Sequence, residues 1–200
     1  MSDNNIDMHQ VGKLFELVRN SAASSMKHLL KATDEDLTTL DLSGSEDLSY
    51  DHWICCIVVK FEGLSVVFSV HFTSKAARQL AEISIGKNRD ELPPRITHDF
   101  MKEYCNLTAG TIKDRLQKCE FGHDGGSTVM LPSEVPSFDT VKLRSEDSHW
   151  LMNWLMSHKG QDALIFSGKI EVENAAILSK LSKIDDSSIM IDDSGEIDFL

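Results

Sequence analysis

The chain has 200 residues, of which 41% are hydrophobic, and a formal net charge of -12. This apolar content is enough to bury a core, while the acidic balance argues against nucleic acid and anionic membranes as partners, because binding to phosphate groups needs a basic surface. No segment approaches the roughly 18 consecutive apolar residues of a membrane span, and the first ten residues do not resemble a signal peptide, so we expect a cytoplasmic protein.

The first half of the chain predicts a helix followed by a hairpin. Apolar residues recur every three to four positions across residues 8–31, which is the period of an amphipathic helix. The polar, acidic stretch 34–51 predicts a long loop. Two runs rich in Val, Ile and Phe, 53–61 and 64–72, flank Glu62-Gly63 and predict an antiparallel hairpin.

Two more helices are predicted after the hairpin. Ser74 stands where a helix N-cap belongs, and apolar residues at helical spacing continue until Gly86. Pro93-Pro94 then opens a long helix over about residues 95–119, because proline is tolerated in a first turn.

The rest of the chain predicts strands. An apolar run at 128–131 ends at Pro132, and runs at 149–156 and 163–167 predict a second hairpin, with a short strand at 141–143. Four large side chains then alternate with period two and share one sheet face, where core packing is favoured over an oligomer interface. They are Trp150, Met152, Trp154 and Met156.

This order of elements predicts an α+β fold, a largely antiparallel sheet of about six strands with long helices packed on one face. Each half of it is a helix followed by strands, which suggests a loose internal repeat. We expect residues 1–180 to form one domain. The last 17 residues hold six acids and neither Lys nor Arg, so residues 181–200 are predicted to be a flexible acidic tail.

The long helix carries the candidate site. At 100° per residue, Asp99, Glu103, Asn106 and Gly110 share one side, which we name the outer ridge. The opposite side is predicted to be buried and consists of Met101, Cys105, Thr108, Ile112 and Leu116. A carboxylate and a carboxamide at i and i+3 are neighbours on a helix and can enter one small site together. Gly110 costs up to about 1 kcal/mol relative to alanine, which close approach of another backbone would explain.

The outer ridge, read as DFMKEYCNLTAG, resembles the signature helix of the CheC, CheX and FliY family of chemotaxis phosphatases. The surroundings agree, since a hairpin and the segment FTSKAARQLAEISIG precede this helix and GGSTVMLPSEVP follows it. The resemblance covers residues 49–167. It is nearest to CheX, because Glu16 and Asn20 on the first helix are four apart rather than three and make no second motif.

The resemblance implies hydrolysis of the phospho-aspartate in a CheY-like receiver domain. Asn106 would position the attacking water, and Glu103 would dock to the lysine of the receiver's active site. Asp99 would aid docking or cap the helix, and Gly110 would shape the contact surface. No metal or cofactor is expected on this chain, because the Mg²⁺ belongs to the receiver. A homodimer is expected, as is common for CheX-like proteins.

Two other classes of function stay open. The fold could serve as a non-catalytic adaptor that binds a receiver or another protein through the same helix or the acidic tail. It could also be a small-molecule sensor, which predicts a deep apolar pocket.

The other motifs in the sequence give weaker indications of function. None of the eight histidines forms H-E-x-x-H, and His123-Asp124-Gly125-Gly126 is interpreted as a turn. Glu171 and Asn174 repeat the acid-amide spacing, but they follow a predicted strand end at 168–170 and are interpreted as surface residues that begin a short helix. The four cysteines form no C-x-x-C pair and are expected to be reduced. No serine-hydrolase signature occurs.

Overall fold

The computed structural model describes residues 8–42, 48–49, 52–86, 92–119, 121, 126–137, 140–141, 150–160, 163–173 and 177. The helices are α1 (Met8–Leu30), α2 (Ser74–Ile85) and α3 (Pro94–Lys118). The strands are β1 (Leu37–Asp41), β2 (Leu48–Ser49), β3 (His52–Phe61), β4 (Leu64–Phe72), β5 (Ser127–Val129), β6 (Ser133–Ser137), β7 (Thr140–Val141), β8 (Trp150–His158) and β9 (Leu164–Val172). The predicted acidic tail, 181–200, lies outside the described residues.

Seven strands form one antiparallel sheet. Its order is β1-β8-β9-β4-β3, and β5 and β6 both pair with β3 at the far edge. The short strands β2 and β7 pair with each other. The predicted α+β fold with a largely antiparallel sheet is therefore confirmed.

The order of the strands repeats about the centre of the sheet. In the first half α1 leads to β1 and then to the β3–β4 hairpin, and in the second half α3 leads to β5 and β6 and then to the β8–β9 hairpin. Each half places its edge strand on the outer strand of the other half's hairpin, and the hairpins meet where β4 pairs with β9. Helices α1 and α3 thus occupy equivalent positions.

Both long helices pack on the same face of the sheet. Tyr104 of α3 lies edge-on to Phe68 of β4 and Phe166 of β9, with ring centroids 6.0 and 5.9 Å apart. Trp154 of β8 stacks on Phe166 at 5.4 Å. Trp150 and Met152 pack against this core while half-buried, so the alternating side chains of β8 face the core as expected.

Helix α1 crosses the sheet above a glycine. A Cβ on Gly168 would lie 3.5 Å from Val18 Cγ1 and 3.6 Å from Trp154 Cζ3. The predicted strand end at 168–170 is wrong, because this glycine marks the place where a helix passes close to the sheet and β9 continues to Val172. Glu171 therefore lies in a strand, paired with Ser65, and does not begin a helix. Asn174 lies outside the described residues.

Three other boundaries differ from prediction. The predicted loop at 34–51 contains β1, whose residues Thr38 to Asp41 are exposed and so lack the apolar alternation that signals a strand. The predicted strand at 128–131 is shorter, because β5 ends at Val129, and a further strand that was not predicted, β6, follows Pro132. The N-cap of α2 is Thr73 rather than Ser74, because the Thr73 side chain accepts from the Ala76 N–H at 3.1 Å.

None of the helices within the described ranges has both the length and the apolar character that crossing a membrane requires.

Candidate functional site

Helix α3 begins where two prolines set the backbone. Pro93 is the N-cap with an extended backbone (φ -59°, ψ 146°), and Pro94 is the first helical residue. Proline fits there because the first turn of a helix has no partner for its N–H groups. The helix then runs for 25 residues without a break, so the positions of the candidate site are held on rigid backbone.

The inner face of α3 is anchored in the core. The residues predicted for this face, Met101, Cys105, Thr108, Ile112 and Leu116, are all buried. The Tyr104 hydroxyl donates to the Ala22 carbonyl of α1 at 3.0 Å. Desolvation raises the pKa of the buried Tyr104 phenol and of the buried Cys105 thiol, so both stay protonated at neutral pH. These groups serve packing rather than acid-base chemistry.

The outer ridge faces away from the core. Glu103 and Asn106 are both exposed, and the backbone between them is helical. They are three residues apart and thus adjacent on the helix surface. A carboxylate that accepts and a carboxamide that both donates and accepts therefore stand side by side, open to a visiting molecule.

Asp99 lies at the start of the ridge and does not cap the helix. Its carboxylate is five residues inside α3 and pairs with Arg95, Nε to Oδ2 at 3.4 Å. Both side chains are more than half exposed, so this pair contributes little to stability. The capping role is wrong, and docking remains the prediction for Asp99.

Gly110 is the last residue of the outer ridge, and there is open space beside its Cα. It is half-buried, and a Cβ built on it would meet nothing within 4 Å. Packing inside the described part of the chain does not require a glycine here. The role of Gly110 in shaping a contact surface stays a prediction.

The flank of α3 is tied to the edge strand β6. His98 Nδ1 hydrogen-bonds to Glu134 Oε1, and Lys102 Nζ lies 3.4 Å from Glu134 Oε2. The His98 ring packs edge-on against Trp53, with centroids 4.8 Å apart. His98 and Lys102 are one turn apart on α3, so one carboxylate of β6 holds two successive turns of the site helix.

This contact could not be predicted from the sequence. Lys102 is visible as a neighbour of the ridge in the helical spacing, but Glu134 is 32 residues further along the chain. Only the pairing of β6 with β3, under α3, brings them together.

A buried serine-histidine contact exists on the other face of the sheet. The Ser167 hydroxyl donates to Asn153 Oδ1 at 2.7 Å and lies 3.0 Å from His71 Nε2. Because the serine proton is directed to Asn153, the histidine is not placed to remove it. All three side chains are buried, so the cluster links the three central strands and offers no access to a substrate.

Metal ligands are not assembled among the described residues. No group of three or more His, Cys, Asp or Glu side chains is placed there to hold an ion. The predicted turn at His123–Gly126 lies outside the described residues except for Gly126.

No protein-family model matches the chain, and no curated protein matches it. Solved structures match in fold. The CheX chemotaxis protein of Vibrio vulnificus has a TM-score of 0.59 at 17% identity, with 78% of this chain and 99% of that chain covered.

Two other solved structures extend the comparison. CheX of Borrelia burgdorferi, solved as a complex with CheY, BeF3 and Mg²⁺, gives a TM-score of 0.58 at 13% identity, over 84% of this chain and 99% of that chain. FliY of Thermotoga maritima gives 0.56 at 13% identity, over 92% of this chain and 99% of that chain. At these identities the likeness establishes the fold.

Proposed function

We propose that this chain, which has the fold of the CheX, CheC-like and FliY chemotaxis proteins, is a phosphatase that hydrolyses the phospho-aspartate of a CheY-like receiver domain. Glu103 and Asn106 are the catalytic residues of the proposal, and Asp99 and Gly110 bind the partner. It acts in the cytoplasm, in chemotaxis or another two-component system, as a homodimer. One solved structure of this fold is a complex of CheX with CheY, which supports a receiver as the partner.

The observation that carries the proposal is the exposed acid-amide pair on a rigid helix. Hydrolysis of a phosphoryl group needs mainly a water placed in line with the breaking bond, together with stabilisation of charge. The Asn106 carboxamide can accept a hydrogen bond from the water and donate one to a phosphoryl oxygen. No strong base is required, which fits a ridge without a histidine.

Glu103 supplies the docking contact. Its exposed carboxylate is placed to form a charge-assisted hydrogen bond with a lysine of the receiver. Because Glu103 and Asn106 lie on adjacent positions of one helix, this contact fixes where the Asn106 amide enters the receiver's site. The metal ion in the reaction is the receiver's Mg²⁺, and this chain contributes no ligand to it.

The proposal is tested with Asn106→Ala against receivers charged by acetyl phosphate. We expect phosphate release to slow by about a hundredfold, the size of effect seen when a reacting group is misplaced. Binding of the receiver should be preserved, because Glu103 remains. Glu62→Ala, at an exposed acid in the turn between β3 and β4, is the control and should keep the wild-type rate.

Two outcomes would contradict the proposal. An Asn106→Ala variant as fast as the wild type would remove the catalytic role of the amide. A wild-type protein that binds receivers without speeding phosphate release would instead identify an adaptor that uses the same ridge.

A further inference from the structure

A lysine lies beside the outer ridge and has no role in the proposed mechanism. Lys102 precedes Asn106 by four residues, so their side chains are neighbours on the helix surface, with Cβ atoms about 5–6 Å apart. The Lys102 side chain is 41% exposed, and its ammonium group is therefore accessible to a partner that covers the ridge.

Glu134 keeps this ammonium group in place. The Glu134 side chain is 8% exposed, and its Oε2 lies 3.4 Å from Lys102 Nζ. Its other oxygen, Oε1, is hydrogen-bonded to His98 Nδ1. The Glu134 carboxylate therefore keeps its hydrogen bond to His98 when Lys102 moves away.

The charges along α3 explain what the lysine would do. Two ridge residues, Asp99 and Glu103, are acids that oppose the approach of an anion. Arg95 pairs with Asp99 and lies 11 residues before Asn106. Of the basic residues on α3, Lys102 is nearest to Asn106 in sequence. A phosphoryl group that reaches Asn106 carries up to two negative charges and gains from a cation at this distance.

We infer that Lys102 is a phosphoryl-binding residue of the site: when a phosphorylated receiver docks, its ammonium group leaves Glu134 and contacts the phosphoryl oxygens beside Asn106. The inference rests on the proposed function. It makes Lys102 the residue by which the site distinguishes a phosphorylated receiver from an unphosphorylated one. A flexible stem with a compact charge suits this transfer between two anions.

The experiment measures binding and turnover separately. Binding of the unphosphorylated and the acetyl-phosphate-charged receiver is measured in an Asn106→Ala background, so that the phosphoryl group survives. Lys102→Met should lower the affinity for the phosphorylated form by roughly tenfold, as expected for one charge-assisted contact, and leave the other form unchanged. Lys102→Arg should restore most of the preference. In the protein that keeps Asn106, Lys102→Met should raise the KM for the phosphorylated receiver.

Lys60→Met is the matched control. Lys60 is exposed on β3 and points to the sheet face opposite the helices, since the neighbouring Val59 and Phe61 face the core. The Lys60→Met substitution removes the same charge without changing the outer ridge. This variant should therefore bind both receiver forms as the protein with Lys60 does.

The outcomes separate the two proposals. Phosphate release by Asn106→Ala at the wild-type rate would overturn both the proposed function and this inference. A slow Asn106→Ala variant combined with a Lys102→Met variant that matches Lys60→Met would overturn only the inference. Equal weakening of both receiver forms would also overturn it, because Lys102 would then contact the protein surface and not the phosphoryl group.

Discussion

Helices α1 and α3 hold equivalent places in the two halves of the fold but differ in their outer faces. Both bury apolar side chains against the same sheet face, for example Leu14 of α1 and Met101 of α3, each 0% exposed. On the outer side α3 shows the acid-amide-glycine ridge. The outer side of α1 carries Gly12 and Glu16, with no amide three residues after the acid. The fold thus requires the inner faces, and of these two helices only α3 carries the acid-amide spacing on its outer face.

The largest effect should fall on the part that the two helices share. Leu14→Ala and Met101→Ala each remove a fully buried side chain, and each should lower the free energy of unfolding by about 2–5 kcal/mol. Thermal melts should show a Tm lower by roughly 5–15 °C for both. Met8→Ala, on an α1 side chain that is 63% exposed, is the control and should change Tm little. A small loss at only one of the two buried sites would show that the helices do not share the core equally.

The elements that bury one face in this shared core are also those that could be predicted from the sequence. The apolar period of residues 8–31 and the paired runs of the first hairpin gave α1, β3 and β4 within one residue, because one buried face leaves a clear period. The edge strand β1 was missed, since an edge strand with two exposed faces leaves no such period. Gly168 gave a false strand end, because the helix that passes above it is distant in sequence.

Each of the two long helices contains a glycine at an open position. Gly110 of α3 and Gly12 of α1 both lie inside helices, and a Cβ on either would meet nothing within 4 Å. Replacing each with alanine should therefore raise the free energy of unfolding by up to about 1 kcal/mol, because alanine favours helix. Only Gly110→Ala should weaken receiver binding and slow phosphate release, because in the proposed function the receiver approaches α3 and not α1.

Chemical denaturation and the phosphate-release assay read the two effects apart. A Gly110→Ala variant that is more stable and as active as Gly12→Ala would show that the partner does not come close to the backbone at the end of the ridge. The glycine would then have no role in the contact surface.

Part of the candidate site could also be predicted from the sequence, and part could not. The ridge follows from spacing on one helix, so the exposure of Glu103 and Asn106 could be predicted. The contact of Lys102 and His98 with Glu134 could not, because it joins α3 to a strand placed by the pairing of β6 with β3. Local period is visible in a sequence, and contacts set by topology are not.

The smallest expected effect concerns the turn that joins α1 to its edge strand. The Thr33 backbone N–H donates to Asp36 Oδ2 at 2.9 Å, and this bond is the main cause that lowers the pKa of the Asp36 carboxyl from its usual 3.8. The Thr33 hydroxyl and Lys159 also lower this pKa, while desolvation raises it. Because the folded state favours the ionised form, the stabilisation is complete above the usual pKa and is lost as pH falls through the lowered one. Asp36→Asn should therefore reduce Tm slightly at pH 7, and its difference from the wild type should shrink as the pH is lowered from about 4 to 2. Glu35→Gln, at the neighbouring exposed acid, controls for removal of one charge. A wild-type minus Asp36→Asn difference that stays constant across that range would mean that the Asp36 carboxylate does not hold the turn before β1.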